Sequence, residues 1–215
     1  MLHLDYRPRT WEEFAGHEKQ VRAVRAMIGR DGYKGGCFWI DGPSGIGKTA
    51  LAELICGQFA ADFDTIHLDG DECSVDAVRD LKRDILVRGW VSPWRAVIVN
   101  EAHAMSSKAV QAWLPLLDVW PAQRIVCFTT TQTVKEQPDL FGNFRDPLLS
   151  RCRAGLVHLT NYGVKRAFAE RAQFVARAAG LDGQDIARYE RGVQDCNGNL
   201  RELIGKIEAG EMLVA

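Results

Sequence analysis

Five short runs rich in Val, Ile, Phe or Thr recur over the first 160 residues, at about 37–41, 64–68, 95–100, 124–130 and 154–159. Each is bounded by turn residues and is short enough to cross a sheet once. Between them lie stretches with apolar residues at helical spacing, at about 48–60, 75–87 and 107–118. An earlier helix is expected from about His17 to Met27, with Val21, Val24 and Met27 in phase. Residues 1–16 show no period, and Pro8 limits regular structure there. Strands alternating with helices predict right-handed crossovers and a parallel sheet covered on both faces, an α/β fold. Ala96-Val97-Ile98-Val99 lacks polar alternation, as a strand buried on both sides should. After Leu159 the period becomes helical throughout. Residues 162–179 place Val164, Phe168, Ala172 and Val175 on one face, with Gly180 as a stop. Two further helices are expected at about 184–195 and 199–213. The division is thus an α/β domain over residues 1–160 and a three-helix domain over 161–215. The second is small to stand alone and should pack on its neighbour across a mobile joint.

Composition narrows this picture only slightly. A hydrophobic content of 47% in 215 residues supports a substantial core. A net charge of −1 excludes a bulk polycation, so any nucleic-acid contact must use a local basic patch. The six cysteines, at 37, 56, 73, 127, 152 and 196, form no Cys-x-x-Cys pair. Neither a zinc site nor a disulfide framework is expected, and most of them read as small buried residues. His3, Asp5 and Arg7 interrupt any apolar opening segment, and no apolar run is long enough to span a bilayer. The expectation is a soluble intracellular protein with no membrane partner.

Candidate chemistry begins at Gly42-Pro43-Ser44-Gly45-Ile46-Gly47-Lys48-Thr49, which satisfies G-x-x-x-x-G-K-[ST]. A predicted strand precedes it and a predicted helix follows, the context this phosphate-binding loop requires. Glycines let the backbone fold around a phosphate, and unpaired N–H groups at the helix start point at it. Lys48 would meet the β- and γ-phosphates, and Thr49 would offer its hydroxyl to Mg²⁺. Such a site also needs an acidic residue at the end of a nearby strand. Val97-Ile98-Val99-Asn100-Glu101 is the candidate, with Asn100 standing where an aspartate is usual. An amide oxygen can still accept from a metal-bound water but brings no charge, so weaker Mg²⁺ binding or slower hydrolysis is expected. Glu101 is the candidate to orient the attacking water.

With these residues in place the chain resembles an AAA+ ATPase of the clamp-loader family, and the resemblance covers nearly all of it. Tyr6-Arg7-Pro8-Arg9-Thr10-Trp11 and Phe14-Ala15-Gly16-His17-Glu18 are similar to the family's opening box. There Tyr6, Arg7, Pro8, Phe14 and Ala15 would contact the adenine nucleotide. Thr129-Thr130-Thr131 resembles the sensor 1 region, with Thr130 as the polar residue near the γ-phosphate. Ser150-Arg151-Cys152 matches the Ser-Arg-Cys motif, which makes Arg151 an arginine finger for an adjacent subunit. Gly198-Asn199-Leu200-Arg201 resembles sensor 2, with Arg201 reading the γ-phosphate. The resemblance therefore implies an AAA+ module with a five-stranded parallel sheet and a helical lid domain, using ATP and Mg²⁺. Lys48, Glu101, Thr130, Arg151 and Arg201 carry its catalysis, and Thr49 and Asn100 its metal.

The same resemblance implies a homo- or hetero-oligomer through the ATPase domains, together with a sliding clamp and primer–template DNA. It places the protein in the cytoplasm, nucleoid-associated, or in the nucleus of a eukaryotic host. The stretches matching the family's DNA contacts are Val75 to Arg79 and Ser106-Ser107-Lys108. Arg79, Lys82 and Arg83 would form one cationic face, and Ser106, Ser107 and Lys108 would meet a phosphate at a helix start. Solvated helix charges and an ordinary helix cap fit those same residues. Two departures stand out. Pro115 should kink or restart helix 107–118, at about 3 kcal/mol otherwise. The sequence stops at Ala215 before any collar domain, which suggests a fragment, assembly through the ATPase modules alone, or a separate collar subunit. Two functional alternatives remain, an ATP-binding subunit that scarcely hydrolyses because of Asn100, and a helicase loader or remodeller with the same ATP residues.

Overall fold

The computed structural model describes residues 1–132 and 145–213; Ala215 lies outside them. A one-turn helix α1 (Leu2–Asp5) opens the chain, where the sequence suggested no regular structure. Then come α2 (Glu18–Ile28), β1 (Gly35–Asp41), α3 (Lys48–Gly57), β2 (Thr65–Asp69) and α4 (Val75–Asp84). They are followed by β3 (Arg95–Asn100), α5 (Ser107–Asp118), β4 (Arg124–Thr130), α6 (Arg145–Arg151) and β5 (Gly155–His158). Three helices follow, α7 (Lys165–Ala178), α8 (Ile186–Asp195) and α9 (Leu200–Glu208). Strand order is β2-β3-β4-β1-β5, and every pairing is parallel. The five strands and their helical layers are the expected α/β architecture.

Ala96, Val97, Ile98 and Val99 are all fully buried, and they divide between two cores. Ala96 and Ile98 pack with Phe38, Ile40, Ile125 and Cys127 beneath α2, α3 and the last three helices. Val97 and Val99 pack with Trp39, Val126 and Phe128 beneath α4, α5 and α6. Alternate residues of a strand face opposite ways, so an unbroken apolar run is what a covered sheet demands. In the second core Trp113 is fully buried. It sits edge-to-face on Phe128 with centroids 5.0 Å apart and donates to Cys73 Sγ at 3.2 Å.

Two sequence expectations are corrected. Pro115 lies inside α5 without interrupting it. Its missing N–H leaves the Gln111 carbonyl without the usual helical donor, but Trp113, Leu116 and Leu117 anchor this part of the helix in the core. Secondly, Cys37 on β1 and Cys152 after α6 form a disulfide, with Cα atoms 4.8 Å apart. No local spacing could signal it, because 115 residues separate the pair and only packing of α6 against the sheet brings them together. The other four cysteines are free and buried.

Helix α4 ends three residues before the sequence pattern suggested, and two buried charges account for the turn. Arg124 donates to the backbone carbonyls of Ile85, Val87 (2.9 Å) and Pro93 (2.8 Å). Asp64 accepts from the backbone N–H groups of Trp90 (3.0 Å) and Val91 (3.4 Å). The loop so fixed turns Leu86, Val87, Trp90 and Val91 outward, and Trp90 is 88% exposed.

Replacing Trp113 by alanine removes the largest side chain of the second core and strands the partners around it. A loss of about 3–5 kcal/mol is expected, read as a lower urea midpoint with an unchanged slope.

Candidate nucleotide site

Parallel register brings the carboxyl ends of the strands to one edge. Asp41 stands beside Thr130, and Asp69 beside Asn100. The loop after β1 and the residues after β3 and β4 therefore share that edge, where doubly wound sheets place ligands. Gly45 (φ 69°) and Gly47 (φ 106°) adopt the left-handed backbone this loop needs. A Cβ on Gly45 would collide with Asn199 Oδ1. That contact is possible because α9 begins on the loop. Asn199 caps α9 by accepting from Glu202 N–H at 3.1 Å, and Leu200 N–H donates to the Gly45 carbonyl at 3.2 Å.

Beneath the loop is a cavity lined by Ser44 to Thr49 and by Glu101 and Arg201. Tyr6, Arg7, Pro8, Phe14 and Ala15 from the opening segment also line it. Gly42 and Pro43 are in the loop but not on the cavity wall; the Pro43 carbonyl accepts from Lys48 Nζ at 2.8 Å. Lys48 is only 6% exposed. Burial pushes its ammonium group down to about 8, against the opposing pull of Glu101, while Arg201 lowers it further. Among the described residues the Pro43 carbonyl is the ammonium's hydrogen-bond partner, with Glu101 and Asp41 acting on it only as nearby charges; a bound phosphate would supply a direct counter-charge. Arg7 is paired with Glu53 on α3. Residues that the sequence did not assign to the site also line the wall. Phe168 and Arg171 of α7 and Ile204 of α9 line it too, and Arg171 donates to the Tyr6 carbonyl at 2.7 Å. The apolar stripe of α7 was visible in the sequence, but a helical arginine carries no signal of the carbonyl it will meet.

Thr49 Oγ1 donates to Asn100 Oδ1 at 3.1 Å, and Thr129 Oγ1 reaches the same oxygen at 3.3 Å. Thr49 and Asn100 thus present two neutral oxygens in one place. They fit Mg²⁺, which keeps most of its waters and takes few ligands from protein. Among the described residues no group of three His, Cys, Asp or Glu side chains could hold a metal. Glu101 has a left-handed backbone (φ 48°, ψ 47°) and its Oε2 lies 3.4 Å from Thr131 Oγ1. Thr130 is fully buried, with its hydroxyl 3.2 Å from His103 Nδ1.

Asn100 and Thr130 stand behind the cavity wall and do not line it, and the remaining predicted residues lie off it. Arg151 makes a two-pronged ion pair with Asp118 at the end of α5, at 2.7 and 3.0 Å. Arg79, Lys82 and Lys108 share a groove between α4 and α5 with Gln111 and Pro115. Arg83 is instead paired with Asp80, and Arg79 also bonds Asp76. Ser106 caps α5, accepting from Ala109 N–H at 3.2 Å, and Ser107 is exposed beside it.

Residues 31–182 match the family model described as ABC transporter. No helix among the described residues is long and apolar enough to cross a membrane. Replication factor C subunit 3 of Blastobotrys adeninivorans is 28% identical over 153 residues, covering 68% of this chain and 42% of that protein. DNA polymerase III subunit gamma/tau of Mycobacterium bovis is 26% identical over 164 residues, covering 65% of this chain and 28% of that one. The chain thus spans less than half the length of either relative. In fold it is similar to the RuvB Holliday junction branch migration motor of Thermotoga maritima. The TM-score is 0.71 at 20% identity, over 94% of this chain and 64% of that one. A gamma subunit-related protein from the same organism gives 0.51 at 15% identity, over 73% and 50%.

Burial of the Lys48 ammonium group makes the stability of the fold depend on pH. The unfolded chain holds this proton up to about 10.5 and the folded chain only to about 8, so folding expels it between those values. Stability from this group therefore rises with pH, by about 1 kcal/mol between pH 7 and 9. Urea titrations should show the rise in the wild type, and Lys48→Met should remove it.

Proposed function

The chain belongs to the P-loop ATPases that the matched family model samples, and within them to the clamp-loader AAA+ family; on that premise we propose that it is an ATP-driven assembly switch. ATP with Mg²⁺ would lie between an α/β domain (1–160) and a helical lid (161–215), the opening segment enclosing the adenine. Lys48 would hold the β- and γ-phosphates, and Thr49 and Asn100 the metal. Mg²⁺, when bound, supplies charge neutralisation between the phosphates. Glu101 orients the attacking water. Thr130 and Arg201 read the γ-phosphate, and Arg151 serves the site of a neighbouring subunit. The groove carrying Arg79, Lys82 and Lys108 would face the phosphates of primer–template DNA while a sliding clamp is engaged, with Arg83, Ser106 and Ser107 at its margins.

One observation carries this reading. The dry, under-compensated Lys48 ammonium faces a cavity shared with Glu101 and with Arg201 at the start of α9. Bound phosphate there would touch loop and lid together, because Leu200 N–H is already bonded to the Gly45 carbonyl. Nucleotide could thus set the angle of the lid and hence the fit of the next subunit.

Steady-state ATP hydrolysis tests the assignment. Glu101→Gln should lower kcat by about a hundredfold with ATP affinity retained; an unchanged rate rejects Glu101 as the water-orienting group. Lys48→Met and Arg151→Ala should each be inactive alone. Mixed, they should regain activity, since intact fingers on one variant serve intact loops on the other. No recovery in a mixture shown to co-assemble would reject a finger acting in trans.

The hydrogen bonds at Asn100 favour a second reading, in which the subunit binds ATP but turns it over slowly. Asn100 Oδ1 already accepts from Thr49 and Thr129, and it brings no charge to the metal. Asn100→Asp should then raise turnover by about tenfold or more. An equal rate means that the asparagine is not the brake.

A further inference from the structure

Glu101 leaves β3 in the left-handed region, φ 48° and ψ 47°. A non-glycine residue keeps that conformation only where its surroundings over-determine it. The next three residues form a single 3-10 turn, Ala102–Ala104, closed by Ala104 N–H donating to the Glu101 carbonyl at 2.7 Å. Ala102, the first residue of the turn, is buried. His103 is therefore carried back over Glu101 by a short and rigid piece of chain.

The side chains close the same unit. Glu101 Oε2 lies 3.2 Å from His103 Nδ1 and 3.4 Å from Thr131 Oγ1. The same Nδ1 lies 3.2 Å from Thr130 Oγ1, which also accepts from Gln132 N–H at 3.1 Å. A carboxylate oxygen only accepts, so the contact with His103 is attractive when the imidazole proton sits on Nδ1, and that single proton is then shared between the Glu101 carboxylate and Thr130 Oγ1. Two routes thus tie the carboxylate to the end of β4, one direct through Thr131 and one through His103 to Thr130. His103 does not line the nucleotide cavity, whereas Glu101 does.

We infer that His103 is a positioning residue for Glu101, holding the carboxylate through Nδ1–H at the edge of the cavity and linking it to Thr130. This rests on the reading of Glu101 as the group that orients the attacking water. A half-exposed carboxylate without such a partner spreads over several rotamers, and each one away from the water is lost to catalysis. Nucleophile, base and a third group that orients the base form a general arrangement, and His103 is that third group. It acts on the chemical step and leaves nucleotide affinity alone.

Single-turnover ATP hydrolysis by the full chain, with ATP affinity measured separately, tests this. His103→Ala should slow hydrolysis by about tenfold or more while affinity changes less than about twofold. His103→Asn, whose amide nitrogen replaces Nδ1–H, should recover most of the rate. His103→Gln keeps the bulk but moves the donor to the position of Nε2, and should behave like alanine. It also carries the test if the alanine variant does not fold. In a Glu101→Gln background His103→Ala should cost less than about twofold, because the two residues act as one unit. Equal losses in both backgrounds, a matching fall in affinity, or equal rates for the Asn and Gln variants would overturn the inference. Hydrolysis insensitive to His103 sinks this inference alone. Wild-type protein that binds ATP yet hydrolyses none overturns it together with the hydrolytic reading.

Discussion

Parallel pairing of β1 with β4 on one side and β5 on the other is the constraint from which the site follows. With β1 in that place, the loop at its end can only open onto the edge where β3 and β4 also finish. Asp41 beside Thr130 and Asp69 beside Asn100 are consequences of register. A slip of one residue would reverse every side chain on a strand, sending apolar groups to the wrong core and Thr129 away from Asn100. The two cores on opposite faces hold the register, because Ala96 and Ile98 are needed on one side and Val97 and Val99 on the other. Site geometry and core packing are therefore one requirement.

The polar groups at that edge form a connected set. Thr49 reaches Asn100, Asn100 reaches Thr129, and Glu101 meets Thr131 and His103. Three consecutive threonines at the end of β4 thus have three different partners, which the strand's alternation and the turn after β3 distribute. Lys48 is the buried cation of this edge, and among the described residues no carboxylate stands within ion-pair distance of it. Its nearest acceptor is a neutral carbonyl, and burial lowers its proton affinity. The loop stores an electrostatic deficit that an anion can relieve.

Most of the fold was legible in the sequence, because apolar runs without alternation report burial directly. β3, β4 and α5 fall where their patterns ended. What was illegible depended on contacts far apart in the chain. The pairing of Cys37 with Cys152 spans 115 residues. Arg171 gives no local hint that it will bond the Tyr6 carbonyl. Pro115 was legible as a break, yet the buried Trp113 and Leu116 keep its helix whole. In the site, the loop motif and Glu101 could be read from spacing alone, whereas the partners of Thr130 and Thr131 required the turn that carries His103. Arg79, Lys82 and Lys108 share a groove only because α4 packs on α5, and the acidic partners of Arg79 and Arg83 could be counted at helical spacing.

Arg124 and Asp64 are both buried, yet each is met by backbone dipoles of the loop after α4, and among the described residues neither has an ion-pair partner. Main-chain atoms are common to nearly all amino acids, so this arrangement fixes the path of the loop without fixing its side chains. Leu86, Val87, Trp90 and Val91 can be exchanged freely as far as the loop's own anchoring is concerned. The chain can therefore vary what this surface displays while leaving its shape intact, and change at the surface is separated from change in the fold.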